Sequence, residues 1–184
     1  LKDLKQIIID SAAGKTKAQA RLYQYLAPKM FGVCLRYSKD ETEAEDNLQD
    51  GFLKVFEKIG SFRHEGAFEG WVRRIMVNVA LERYRKNHLM HPVEDMGIYD
   101  EPELNDNIIA ELSARDLLKI INELPPRYRM VFNLYVIEGM NHQEIADEMK
   151  ISVGTSKSNL ARARGILRDK VVKVFGETEN NYSA

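Results

Sequence analysis

Asn141-His142-Gln143-Glu144-Ile145-Ala146-Asp147-Glu148-Met149-Lys150-Ile151-Ser152-Val153-Gly154-Thr155-Ser156-Lys157-Ser158-Asn159-Leu160-Ala161-Arg162 is the stretch on which the fold turns. Asn141 and Glu144 have the spacing of a capping box, in which an N-cap side chain accepts from the third helical amide and Glu144 reaches back to the cap. The spacing predicts a short helix over 143–149 that turns Ile145, Ala146 and Met149 inward. A break at 150–152 follows, with Ser152 placed to cap a longer helix whose buried stripe is Val153, Leu160, Leu167, Val171 and Val174. A capped short helix, a tight break and a long helix make a helix-turn-helix.

That stripe leaves Thr155, Ser158, Asn159 and Arg162 on the face expected to point away from the core. They lie near the helix end that enters the major groove in this motif. Asn159 and Arg162 suit bidentate pairing with adenine and guanine edges. Lys157, Arg164 and Arg168 lie on a neighbouring flank suited to phosphates. A solvated basic helix is the plain alternative, but the capped helix and break beside it favour DNA binding.

Upstream of the motif, Met130, Val131, Leu134 and Tyr135 mark another helix, which Gly139 ends. Leu117, Ile121 and Leu124 mark one more, stopped by Pro125-Pro126. Across 92–107 periodicity is lost, two of the chain's five prolines fall, and acids dominate, as in a flexible tether. Before it, Leu48, Phe52, Phe56 and Ile59 share one helical face, with Asp46, Asp50, Lys54 and Glu57 on the opposite stripe. Gly60 closes that helix, 61–66 reads as a loop, and a helix from about Phe68 turns Val72, Ile75, Met76 and Val79 inward. Nothing alternates with the period of a strand.

The chain therefore reads as all-α: two small helical domains joined by a flexible acidic linker, the second a winged-helix-like, four-helix helix-turn-helix domain. The expected divisions are residues 1–91, a linker over 92–112, residues 113–176, and a disordered polar tail over 177–184.

The 184 residues, 44% hydrophobic and 30% charged, are ordinary for a globular protein. The net charge of −1 hides a segregation. Residues 92–116 set one base against eight acids, residues 151–173 six bases against one acid, and residues 61–91 six bases against three acids. Two basic segments flank an acidic connector, which fits a nucleic-acid partner better than the total does. No run approaches the roughly 20 apolar residues of a membrane helix, and the charged opening segment 1–9 does not read as a secretory signal. Cys34, the single cysteine, excludes an intrachain disulfide, lies in an apolar run and fits a reducing, cytoplasmic home.

Three further segments carry a family resemblance. Glu45-Asp46-Asn47-Leu48-Gln49-Asp50-Gly51-Phe52-Leu53-Lys54-Val55-Phe56 resembles the core-polymerase-binding helix of extracytoplasmic-function sigma factors. Phe68-Glu69-Gly70-Trp71-Val72-Arg73-Arg74-Ile75-Met76-Val77-Asn78 resembles their promoter-melting segment, and Leu124-Pro125-Pro126-Arg127-Tyr128-Arg129 with the helix-turn-helix resembles their second module. The order and spacing of these pieces, from about Tyr23 to Val172, are more specific than any one piece.

The resemblance implies a transcription-initiation factor that lends RNA polymerase its promoter preference. Asp46, Gln49, Asp50 and Lys54 would meet the clamp helices of the large polymerase subunit, and the second domain would meet its flap. Phe62 and Arg63 of the loop, with Trp71, Arg74, Asn78 and Arg85 on one side of the next helix, would hold unstacked minus-ten DNA. Such a face offers a stacking surface, an amide for a base edge and cations for phosphate. Thr155, Lys157, Ser158, Asn159, Arg162 and Arg164 would read the minus-thirty-five element. The acidic tether would thread the channel later filled by RNA. An anti-sigma protein, often attached to the inner membrane, is the further partner implied, with the free factor a monomer. Four departures stand out: Lys150 where relatives place Gly, Asn159 where they are often basic, Ser156 where they are often apolar, and Glu82 where an Asp is common.

Two rival classes of function fit the sequence less well. An enzyme finds little support: His64, His88, His91 and His142 are scattered, no phosphate-cradling loop or nucleophile motif occurs, and no metal or cofactor is expected. A stand-alone helix-turn-helix regulator with an N-terminal sensory domain explains the second module but neither of the first module's matching segments.

Overall fold

The computed structural model describes residues 3–63, 65–89 and 114–181, and divides into two compact units, Leu1–Met90 and His91–Ala184. The proposed tether over 92–112, His64, His91 and the last three residues lie outside the described residues. Among the described residues every regular element is helical.

In the first unit, α1 (Leu4–Ala12), α2 (Thr16–Tyr37), α3 (Glu41–Lys58) and α4 (Phe68–Leu89) pack around one core. Leu22, Leu26 and Met30 of α2 meet Leu48, Phe52 and Val55 of α3 and Val72, Met76 and Val79 of α4, all buried. Each such side chain contributes about 1.5–3 kcal/mol by leaving water. Asp40 caps α3 by accepting from the Glu43 amide at 2.8 Å, and Glu43 accepts from the Lys39 amide at 2.6 Å. Two acids in that first turn also suit the helix dipole.

The α3–α4 seam is close because Gly51 has no side chain. A Cβ there would lie 2.1 Å from Sδ of Met76. The sequence expectation that Gly60 ends α3 is corrected: the helix stops at Lys58, and Gly60 lies within a following 3₁₀ turn, Ile59–Ser61. Ile7 and Ile8 of α1 pack towards α2 and this turn.

The second unit holds α5 (Ala114–Asn122), α6 (Pro126–Phe132), α7 (His142–Met149) and α8 (Val153–Asn181). Pro126 stands in the first turn of α6, where its missing amide hydrogen is no loss. The helix read up to Gly139 changes pitch: after Phe132 it continues as one π turn, Asn133–Ile137. The amide of Met140 then returns to the Leu134 carbonyl at 3.0 Å, and Gly139, at φ +71°, makes that reversal.

The capping box is present: Asn141 Oδ1 accepts from the Gln143 and Glu144 amides, and Glu144 accepts from the Asn141 amide at 2.7 Å. Lys150 adopts the left-handed conformation, φ 57°, at the break. The strain of a Cβ there is on the order of 1 kcal/mol. Ser152 accepts from the Thr155 amide at 2.9 Å and caps α8. That helix runs to Asn181, through part of the stretch expected to fray from about 177. Gly176 alone does not break it, since one interior Gly costs only about 1 kcal/mol.

Candidate nucleic-acid and polymerase interfaces

Helix α8 is rotated from its sequence reading. Leu160, Leu167 and Val171 are buried as expected, but so are Ser156, Ala163, Asn159 and Arg162. Asn159 and Arg162, expected on the outer face, are only 3% and 6% exposed. They follow Lys157 by two and five residues, which at 100° per residue puts each roughly 140–160° from that exposed lysine. The cause is packing on several sides, since α8 contacts α5, α6 and α7. The small Ser156 and Ala163 are fully buried too, and the buried arc extends from them over Asn159 and Arg162.

Arg162 has a structural partner: its Nη1 donates to the Tyr128 hydroxyl at 3.3 Å. Arg127 donates to the same oxygen at 2.7 Å, so one phenol on α6 receives two guanidinium groups. What faces solvent near the start of α8 is Gly154 and Lys157, flanked by half-buried Thr155 and Ser158. The Thr155 hydroxyl lies 2.8 Å from that of Ser152, and the Ser158 hydroxyl donates to the Thr155 carbonyl at 3.1 Å. Further along, Arg164 lies over the Tyr135 ring at 5.9 Å, and exposed Arg168 pairs with Asp169 at 3.2 Å. His142 stacks on the other partner of this group, Tyr135, at 4.7 Å, and its Nδ1 is 3.0 Å from the buried Ser156 hydroxyl. The two helices of the motif are thereby tied at their near ends.

On α4 the expected face holds together. Trp71, Arg74, Asn78 and Arg85 fall within about 60° of one another around the helix. Arg74 and Asn78 are exposed, Trp71 and Arg85 half-buried, and Arg63 of the adjoining loop is exposed. Trp71 has a second task. Its ring lies 5.5 Å from Phe62 and 5.6 Å from Phe68, which are 5.0 Å apart. This aromatic triad fastens the loop to the first turn of α4, worth about 0.5–1.5 kcal/mol per ring pair beyond burial.

On α3, Asp46, Gln49 and Asp50 are exposed and Lys54 half-buried. Asp50 and Lys54, spaced for a mutual pair along α3, instead pair across the seam. Arg83 of α4 donates to Asp46 at 3.1 Å and to Asp50 at 2.7 Å, and Lys54 meets Glu82 at 2.5 Å. The hydrogen bond from Lys54 holds the Glu82 carboxyl below its usual value. Leu53, between Gln49 and Glu57 on the same face, is 69% exposed, the largest value among the bulky apolar side chains of the described residues. Sequence periodicity gave it no role. Cys34 is buried, and burial pushes its thiol up to about 12, consistent with a packing residue.

The sequence matches two family models, Sigma-70 region 2 over residues 22–89 and Sigma-70 region 4 over residues 114–167. It is 31% identical over 172 residues to the ECF RNA polymerase sigma-E factor of Haemophilus influenzae, covering 86% of this chain and 89% of that one. The chain belongs to the extracytoplasmic-function sigma factors. This sigma factor is also 30% identical to the RNA polymerase sigma-H factor of Pseudomonas aeruginosa, over 74% of its own length and 77% of the relative. Against the ECF sigma factor SigE of Mycolicibacterium smegmatis it is 29% identical and spans 61% of that protein's length. Among solved structures, the sigma factor RpoE of Bartonella quintana, crystallised with the anti-sigma factor NepR, aligns at a TM-score of 0.49 with 23% identity, over 84% of this chain and 96% of that one.

The three faces of the sigma factor thus lie within the matched segments: α3 and α4 in the first, the helix-turn-helix in the second. No helix among the described residues is long and apolar enough to cross a membrane, and no group of three His, Cys, Asp or Glu there could hold a metal ion.

Proposed function

We propose that this sigma factor docks on core RNA polymerase through the solvent face of α3 and reads promoters with two separate DNA faces. Gln49 and Leu53 centre the docking face, with Asp46 and Asp50 as its charged edge and Lys54 behind them. An exposed apolar side chain ringed by polar groups is the arrangement expected of a protein interface core. On α4, Arg63 and Arg74 meet phosphates and Asn78 meets a base edge of the opened minus-ten strand, with Arg85 further along the same face. Phe62 and Trp71, half-buried and packed on each other and on Phe68, hold the loop in place. On α8, Lys157, Thr155, Ser158 and Arg164 contact the minus-thirty-five element, and Asn159 and Arg162 set the helix's attitude from within.

The observation that carries this reading is that exposed Arg74 and Asn78 share one face of α4, in the same chain as a capped helix-turn-helix. We place the tether between the two domains at residues 92–112. The factor works as a cytoplasmic monomer that binds without chemistry of its own, and an anti-sigma protein is its expected regulator. The decisive experiment is runoff transcription with sigma-free core enzyme on a library of promoters. Specific initiation is expected only with both proteins present, and Asn78→Ala should change the minus-ten preference while co-elution with core is kept. Failure to co-elute with core polymerase at moderate salt would refute the assignment. So would tight, sequence-specific duplex binding by the chain alone.

A further inference from the structure

We propose that Arg83, on the DNA-facing helix α4, is the positioning residue of the polymerase-docking face on α3. This rests on the docking role given above to Asp46 and Asp50. Those two carboxylates stand four residues apart, one turn, on an exposed helix surface, where like charges repel and side chains splay. Arg83 removes that repulsion. Its Nη1 reaches Oδ2 of Asp46 at 3.1 Å and its Nη2 reaches Oδ2 of Asp50 at 2.7 Å, so one planar group spans both.

The geometry separates support from contact. The Arg83 side chain is 26% exposed, whereas those of Asp46 and Asp50 are 57% and 53% exposed. The arginine therefore lies behind the carboxylates. Each aspartate gives Oδ2 to Arg83 and keeps Oδ1 for an incoming cationic or amide donor. A rigid two-pronged guanidinium is needed for this, since an ammonium is a single point charge that cannot fix both partners in one plane. One turn along the seam, the Lys54 pair with Glu82 repeats the theme with the charges reversed.

Arg83 follows Asn78 by five residues, so it projects about 140° away from it around α4. The same helix thus presents DNA contacts on one side and steadies the polymerase-facing acids on the other. Preorganised charges of this kind raise affinity by sparing the ordering cost at the moment of binding.

The test compares the affinity of the full chain for core polymerase across four variants: Arg83→Met, Arg83→Lys, Asp46→Asn with Asp50→Asn, and the triple combination. Arg83→Met should weaken core binding roughly three- to fivefold at about 0.1 M salt, the scale of a partly exposed coupled charge pair. Arg83→Lys should recover only part of that loss. In the Asp46→Asn, Asp50→Asn background, Arg83→Met should add nothing, because the groups it positions are gone. A merely structural role predicts equal additional losses in both backgrounds, and that additivity overturns the proposal. Unchanged or tighter core binding by Arg83→Met, with the aspartate variant still weakened, overturns it too and leaves the docking face intact. If the aspartate variant binds core like the parent, the docking role itself fails and the proposal falls with it. Should Arg83→Met not fold, Arg83→Lys in the two backgrounds gives the same comparison.

Discussion

Replacing Arg162 with alanine separates the structural account of α8 from a base-reading one. The Arg162 side chain is 6% exposed and donates to the Tyr128 hydroxyl at 3.3 Å. A hydrogen bond involving a charged group contributes about 1.5–3 kcal/mol, and this one is long, so the lower end applies. Losing the aliphatic stem adds about 0.8 kcal/mol per methylene, offset by relief of burying a charge. The expected net destabilisation is about 2 kcal/mol. For a unit of this size, that is a fall in melting temperature of roughly 8–16 °C.

The assay has an internal control. Trp71 is the only tryptophan and sits in the first unit, so its fluorescence follows that unit while far-UV circular dichroism follows both. Arg162→Ala should lower the dichroism midpoint and leave the Trp71 midpoint where it was. Tyr128→Phe should destabilise by about 1–2 kcal/mol, and the double variant by less than the sum, because both lose the same contact. An Arg162→Ala protein as stable as its parent, yet selectively blind to the minus-thirty-five sequence, would refute the reasoning and make Arg162 a base reader.

Leu53→Asp should leave unfolding unchanged, since the side chain is already 69% in water, yet weaken core binding at least tenfold by placing an unpaired charge in the interface. Equal core affinity in gel filtration or fluorescence titration would remove Leu53 from the docking face. Lys150→Gly should stabilise the second unit by roughly 0.5–1 kcal/mol, because the left-handed break no longer carries a Cβ; a lower urea midpoint would contradict this. Glu82 titrates below its usual value because of Lys54, so its contribution is fully present above about pH 4.5 and is lost as pH falls through the lowered folded value. With the Glu82 side chain 45% exposed, screening limits this to a few tenths of a kcal/mol. The stability gap between Glu82→Gln and its parent, read from urea melts, should therefore close as pH drops to about 3.

What was legible in the sequence was local. The capping box at Asn141 and Glu144 involves partners three residues apart, and the structure contains both of its arms. The apolar spacing of Leu48, Phe52 and Ile59, and of Val72, Met76 and Val79, gave the buried faces of α3 and α4. The face shared by Arg74 and Asn78 followed from helical geometry alone. The rotation of α8 is not legible from its apolar residues alone. Ser156 and Ala163 carry little hydrophobic signal, yet both are fully buried, and the stripe of Val153, Leu160, Leu167, Val171 and Val174 points Arg162 the wrong way. The Arg83 bridge joins residues 33 and 37 positions apart, so no local pattern contains it. Periodicity sets Leu53 about 100° from the centre of the buried stripe, but it gives an exposed leucine no role. The π turn after Phe132 left no mark that propensity can read.

The wide packing of α8 also bears on how promoter choice is able to change. With Asn159 and Arg162 locked inside, substitutions there disturb the scaffold before they alter any base preference. If α8 reads the minus-thirty-five element as proposed, new target sequences are learned at a handful of positions, chiefly Thr155, Lys157, Ser158 and Arg164. A factor built this way could be retargeted by exchanging that short vocabulary while the rest of its helix is left untouched.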